Sequence, residues 1–394
     1  MCLLALFAGN LSAQTWTQVA SMPSGSQRYN AVSFSIGDNG YVTTGQTTST
    51  TLNTTYEYNP QTDAWTQMAN FPAGNRRVAA GFSIGNKGYV IGGRDDSTDT
   101  GVLHNDMWEF DPANNTWTQK ANFPGGNRET LIAFSIDGYG YAGFGLNYSR
   151  KLDFYKYNPV DDSWTQLPDI NYYSHHYNTE VFVLNGKAYF ATGSAYSSVT
   201  FSNYASDKVF MFEPATGIWT QINNFPGGAR QYATAFTVND NAYMGLGNNG
   251  TFLTDLWQYD EPNDAWTQMA NFSPGGRIYT SVFTLGNKAY IGNGRSASSQ
   301  TLTTFFSWEP SLSIIENASN PFSIISGHNK IVIASTQSSN YGVKIFTVDG
   351  RMMLSRQFQN EDHETTINHQ LNAGVYIVNI LDHKNVYNKK ILVP

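Results

Sequence analysis

Six residues before each of Phe34, Phe82, Phe134, Phe182, Phe236 and Phe283 stands a side chain able to carry positive charge: Arg28, Arg76, Arg128, His176, Arg230 and Arg277. A guanidinium offers a planar fork of donors that fits a carboxylate or phosphate. Like charges gathered at one opening concentrate anions there. Two roles follow: the ring binds an anionic ligand, or each arginine pairs with a nearby carboxylate or loop carbonyl. Recurrence in every repeat suits the second role, since a ligand needs only some of the set.

The fourth position breaks the series. There His176 replaces arginine, flanked by His175 and Tyr177 and preceded by Tyr172 and Tyr173. Four residues later Glu180 occupies a place held elsewhere by Val32, Ala80, Ile132, Thr234 and Ser281. A carboxylate among small or apolar residues is costly unless paired. Strand alternation puts Glu180 on the same side as His176, so the two are candidate acid–base machinery or a salt bridge. Tyr148, Tyr172, Tyr173 and Tyr196 are candidates for stacking on sugar rings. The histidines show no metal-ligand spacing, and Asp95, Ser97 and Asp99 lack the glycine placement and closing glutamate of a calcium loop. No phosphate loop or nucleophile elbow occurs. Neither metal nor cofactor is expected.

These residues are positioned by a repeat. Trp-Thr-Gln begins at Trp16, Trp65, Trp117, Trp164, Trp219 and Trp266, at intervals of 49, 52, 47, 55 and 47 residues. Such a period marks a small sheet stacked many times. Seven residues before five of these tryptophans stand Tyr58, Phe110, Tyr157, Phe212 and Tyr259, and turns such as Asn59-Pro60 and Asp111-Pro112 lie between. Each anchor phenylalanine sits in an alternating run, as in Val32-Ser33-Phe34-Ser35-Ile36, followed by a hairpin turn such as Gly37-Asp38 or Asp137-Gly138. A second strand through Tyr41, Tyr89, Tyr141, Tyr189, Tyr243 or Tyr290 ends in glycine, most fully at Gly92-Gly93.

Four strands with a glycine pair, an aromatic and a tryptophan make residues 15–312 similar to kelch repeats, a β-propeller family. The resemblance implies an all-β fold. The last unit has Trp308 at the aromatic position but no Trp-Thr-Gln after it, so the first strand, at Trp16, is expected to complete it. That predicts a six-bladed propeller closed by its N-terminal strand, with tryptophans packed between blades. The loops between second and third strands vary in length and share a face with the blade crossings, which makes that face the place for binding residues. Copper-radical oxidases also use kelch propellers, but they need a cysteine crosslinked to tyrosine, and the only cysteine here is Cys2. Kelch propellers resembling sialate mutarotases imply a rival to a glycan- or protein-binding module: an enzyme acting on an anionic sugar.

A net charge of −7 argues against nucleic-acid binding, which needs a concentrated basic footprint. No internal stretch is long and apolar enough to span a bilayer. Residues 1–14 read as a signal-peptide remnant without its basic start, or else as a short strand. Beyond Pro310 the pattern changes to short alternating strands between turns such as Asp349-Gly350, which predicts a small Ig-like β-sandwich over 313–394. Val343-Lys344-Ile345-Phe346 before Asp349-Gly350-Arg351, then Leu371-Asn372-Ala373-Gly374-Val375-Tyr376-Ile377 and Lys389-Lys390-Ile391-Leu392, resemble the type A C-terminal sorting domain of type IX secretion. That resemblance implies the type IX machinery as a partner. It also implies release from, or attachment to, the outer surface of a Bacteroidota-type bacterium. The arginine ring on the loop face makes an anionic glycan or acidic protein the expected ligand.

Overall fold

Where the sequence alternates, the chain is extended: Val32, Phe34 and Ile36 are buried while Ser33 and Ser35 between them are half-buried. The computed structural model describes residues 15–169, 177–197, 202–310, 322–326, 330–335, 340–347, 350–358, 364–372, 374–382 and 386–393. The signal-peptide segment 1–14 lies outside them. Among the described residues every regular element is a β-strand except a 3-10 turn at Glu261–Asn263. Ala13–Pro310 form one compact unit, and a second contains Ser311–Pro394.

Among the described residues the first unit holds six four-stranded antiparallel sheets. Five follow chain order, over residues 32–68, 80–120, 132–167, 180–222 and 234–269. The sixth joins Ser281–Leu285, Lys288–Gly292 and Phe305–Trp308 to Thr17–Val19, with Thr17 opposite Ser307 and Val19 opposite Phe305. Hairpin chemistry explains the first two strands of each sheet. Gly37, Gly85 and Gly286 carry positive φ at the first turn residue alone, whereas Asp137-Gly138, Asn185-Gly186 and Asn239-Asp240 carry it at both. These match the two primed turns whose twist suits flanking strands.

In every sheet the anchor phenylalanine stands opposite the second-strand tyrosine, as Phe34 does opposite Tyr41. The two rings stack, at 4.9 Å for Phe182–Tyr189 and 5.0 Å for Phe82–Tyr89. The ring of Phe34 lies where a side chain at Gly88 of the next sheet would be, and the ring of Phe82 does the same at Gly140. Tryptophan joins the outer edges. Trp65, Trp117 and Trp164 donate Nε1–H to the carbonyls of Ala20, Ala69 and Ala121 one repeat earlier, at 2.8, 2.9 and 3.1 Å. At the inner edge the Ser33 and Ser35 hydroxyls donate to the carbonyls of Val282 and Thr284, at 3.0 and 2.7 Å, across 249 residues of sequence. A cavity of about 280 Å³ is lined by all six first strands through Phe34, Phe82, Phe134, Phe182, Phe236 and Phe283.

The second unit has a three-stranded sheet (Phe322–Ser326, Lys330–Ser335, Glu364–Asn368) and a four-stranded one (Tyr341–Thr347, Met352–Phe358, Gly374–Leu381, Val386–Val393). Both contribute to one apolar core, including Phe322, Ile331, Ile333, Val343, Ile345 and Val378.

Trp16 is buried, stacked on Trp308 at 5.7 Å and edge-on to Phe272 at 4.6 Å. Trp16→Ala is expected to cost about 3–5 kcal/mol, as for other buried aromatics, in urea unfolding. A loss below about 1 kcal/mol, the scale of a surface change, would show that the first strand adds little to the unit.

Candidate functional site

The five arginines are buried, each no more than 3% exposed. In each, Nη1 donates to a carbonyl 16 residues further on, at 2.9 Å for Thr44 and Gly92, 3.0 Å for Phe144 and Leu246, and 3.5 Å for Asn293. Every one of those acceptors has positive φ: 61° at Thr44, 65° at Gly92, 57° at Phe144, 56° at Leu246 and 54° at Asn293. Aspartates one residue before the third strand supply the counterions. Arg76 meets Asp106 at 2.7 Å, Arg128 meets Asp153 at 2.7 Å and Arg230 meets Asp255 at 2.6 Å. Thr54 and Thr304 replace aspartate beside Arg28 and Arg277. There burial unrelieved by a carboxylate lowers the guanidinium pKa to about 10. An aromatic face covers each cation, as Phe123 covers Arg128 at 4.9 Å.

The same residues join adjacent sheets through their main chains. Gly45, Gly93, Gly193 and Gly294 donate N–H to the carbonyls of Arg76, Arg128, Arg230 and Arg28, at 2.8, 2.9, 2.9 and 2.9 Å. The expectation that Arg28, Arg76, Arg128, Arg230 and Arg277 present their forks to a ligand is therefore corrected. Their Nη1 donors are occupied by groups of their own repeat, and burial keeps an anion away. His176, Tyr172 and Tyr173, with His175, lie outside the described residues. Lys208 stands one residue before its third strand, where other repeats have Asp106, Asp153 and Asp255. Arginine and its counterion thus change together in the fourth repeat.

A cavity lies two residues further along. Asn30, Val78, Thr130, Asn178, Tyr232 and Tyr279 come one from each repeat and have φ of 53°, 45°, 54°, 53°, 57° and 57°. A β-branched residue in this region is strained, and such strain persists only where the surroundings enforce it. With Thr179 and Glu180 they line a cavity of about 170 Å³. Glu180 is half-buried by exposure because it faces this space, yet protein surrounds it. Desolvation raises its carboxyl pKa to about 8. Among the described residues its carboxyl has no ion-pair or hydrogen-bond partner. At neutral pH it is a protonated acid, able to donate a hydrogen bond or a proton.

Aromatic residues form one wall. Tyr232 and Tyr279 rings lie 4.3 Å apart and Tyr29 is 5.7 Å from Tyr279. Burial raises the Tyr279 hydroxyl well above the ordinary tyrosine value. Around the rim Arg94 binds both oxygens of Glu129 at 3.0 Å, Arg77 pairs with Asp99, and Arg150 lies 4.8 Å over the Tyr177 ring. Tyr148 is fully exposed, and the Tyr196 side chain lies outside the description. The Asp96 carboxylate accepts from Thr98 and Thr100 at 2.7 and 3.0 Å. Among the described residues no cluster of acidic, histidine or cysteine side chains is placed to hold a metal. The cavity-lining set escaped the repeat reading because its residue types differ in every repeat. Its signal was a fixed offset of two from the arginine position.

Two outcomes follow. Arg128→Met leaves the partly exposed Asp153 without its cation, so a loss at the low end of about 3–5 kcal/mol is expected in urea unfolding. A loss under about 1 kcal/mol would contradict the pairing role. Glu180 keeps its proton in the folded chain up to about 8, while the unfolded chain releases it near 4.5. The native state binds the extra proton in that window, so stability falls as pH rises through it. Glu180→Gln removes this slope, so the wild-type melting temperature should fall relative to that of the variant as pH rises from about 4.5 to about 8. Parallel curves would refute the raised pKa.

Residues 2–129 match the family described as the KLHDC2/KLHL20/DRC7 Kelch-repeats domain, and residues 327–394 match the Secretion system C-terminal sorting domain. A curated relative named N-acetylneuraminate epimerase, from Pasteurella multocida, is 27% identical over 35% of this chain and 47% of its own length. One of the same name from Shigella flexneri is 39% identical over 23% of this chain and 26% of its own length. The chain thus spans less than half the length of these relatives. The solved structure of YjhT shares the fold, with TM-score 0.62 and 18% identity over 73% of this chain and 95% of that one. A tail of the sorting family marks a chain for type IX export, to the medium or the cell surface of Bacteroidota-type bacteria. The chain carries kelch repeats in its N-terminal part and a secretion-system sorting domain at its C-terminal end.

Proposed function

We propose that the repeats form a six-bladed propeller closed by Thr17–Val19, carried outside the cell by an Ig-like sorting domain over 313–394, and that the mouth cavity around Glu180 binds a carbohydrate. Strand pairing of Thr17–Val19 with Phe305–Trp308 supports closure, as do the serine bonds between the first and sixth sheets. The observation that carries the ligand reading is the cavity itself. Every repeat contributes to it, and it offers tyrosine, asparagine, threonine and one protonated carboxyl. At about 170 Å³ it is below the usual range for drug-sized ligands, so it takes a small polar group and leaves the rest of the ligand at the rim. Tyrosine faces there suit sugar rings better than a protein surface.

A second reading is favoured by the raised Glu180 carboxyl and by the name of the curated relatives: acid–base interconversion of an acidic sugar, with Glu180 moving the proton. Saturation-transfer NMR with N-acetylneuraminate tests binding, and the rate at which its anomers exchange tests catalysis. Binding without acceleration supports the binding module. Acceleration lost in Glu180→Gln, with binding retained, supports the enzyme. Neither binding nor acceleration with this and a panel of neutral and acidic sugars overturns both.

A further inference from the structure

The residue after the second glycine position in each repeat is Gln46, Arg94, Leu146, Ser194, Asn248 or Arg295. Two of these are arginines, and the repeat brings each beside the residue that follows the arginine or histidine position in the next repeat. Arg94 there meets Glu129, which binds it through both carboxylate oxygens at 3.0 Å and holds it charged. Arg295, in the last repeat, meets Tyr29 of the first. Its guanidinium lies over that ring at 5.2 Å, and no carboxylate among the described residues is within ion-pair reach. Its Nε is buried and has no hydrogen-bond partner among the described residues. An identical backbone position therefore holds a neutralised cation in one repeat and a cation lacking its counterion in another.

Arg295 is also beside the cavity. Its strand partner is Ile278, next to the cavity-lining Tyr279. Tyr29 packs on that same Tyr279 ring at 5.7 Å. The stack on Tyr29 holds the guanidinium plane, which lessens the freedom lost when a planar anion binds its fork.

We propose that Arg295, held by Tyr29, is the anchor for a ligand carboxylate, so that the mouth selects acidic over neutral sugars. The inference rests on the carbohydrate reading above and adds a selecting residue to it. Arg94 cannot serve, because Glu129 already fills its fork. Glu180, kept neutral by burial, does not repel the anion at neutral pH.

The probes are the methyl glycoside of N-acetylneuraminate and the methyl ester of that same glycoside, which differ in the carboxylate charge and one added methyl. Titration calorimetry on the full chain at neutral pH should show the acid bound about 10- to 100-fold more tightly than the ester, the scale of a charge-assisted contact. Arg295→Gln should level the two by weakening the acid alone, whereas Arg94→Gln should preserve the preference. The wild-type ratio needs no variant, so a misfolded Arg295→Gln leaves the test intact. Equal binding of acid and ester by the wild type overturns the role of Arg295 and leaves sugar binding standing. A preference that survives in folded Arg295→Gln also overturns it. Binding of neither probe overturns the role together with the sialic-acid form of the parent reading, and neutral-sugar binding then shows whether a carbohydrate site remains.

Discussion

Five buried guanidiniums each hold the carbonyl of a residue in left-handed conformation, and the course of the chain after every such second strand depends on that contact. Only one of the five residues, Gly92, is a glycine. Elsewhere threonine, phenylalanine, leucine and asparagine adopt positive φ, at a cost on the order of 1–3 kcal/mol each. A hydrogen bond from a charged donor contributes about 1.5–3 kcal/mol, enough to offset that strain. The arginine in turn needs its charge compensated. Aspartate does this in three repeats, while threonine and aromatic faces do it in two, where the guanidinium is less basic.

From that contact the sheets are stacked by shape. A phenylalanine projecting from one first strand needs a hollow in the next sheet, and Gly88 and Gly140 supply it. The tyrosine opposite each phenylalanine fixes the ring by stacking. Trp65, Trp117 and Trp164 close the outer edge with a hydrogen bond to the preceding repeat. Because each unit buries its faces only against its neighbours, the end units require one another. Pairing of Thr17–Val19 with Phe305–Trp308 meets that need.

The candidate site is a by-product of the same backbone device. The left-handed residue two positions after each arginine turns the chain into the innermost strand and leaves its side chain at a shared opening. Repetition thus makes the opening, and departures from repetition furnish it: a carboxyl at Glu180 and tyrosines at 232 and 279. Symmetry holds the scaffold, and the asymmetric residues confer chemistry on it.

Strand boundaries, hairpins and the pairing of the first strand with the last unit were legible in the chain because they follow from local periodicity and turn stereochemistry. So was the odd position of Glu180, since a carboxylate in an apolar column is conspicuous without coordinates. The role of the arginines was not. A spacing of six from phenylalanine shows recurrence, yet it does not distinguish a fork facing solvent from one turned inward. That distinction rests on a carbonyl 16 residues away and an aspartate 25 to 30 residues away for Arg76, Arg128 and Arg230. The difference between Arg94 and Arg295 is likewise a matter of neighbours from another repeat. Sequence alone determined which residues alternate and where the chain turns, because those are local properties. Only tertiary structure decided which charges are neutralised and which remain, because electrostatic partners are chosen by distance in space and by the water that packing excludes.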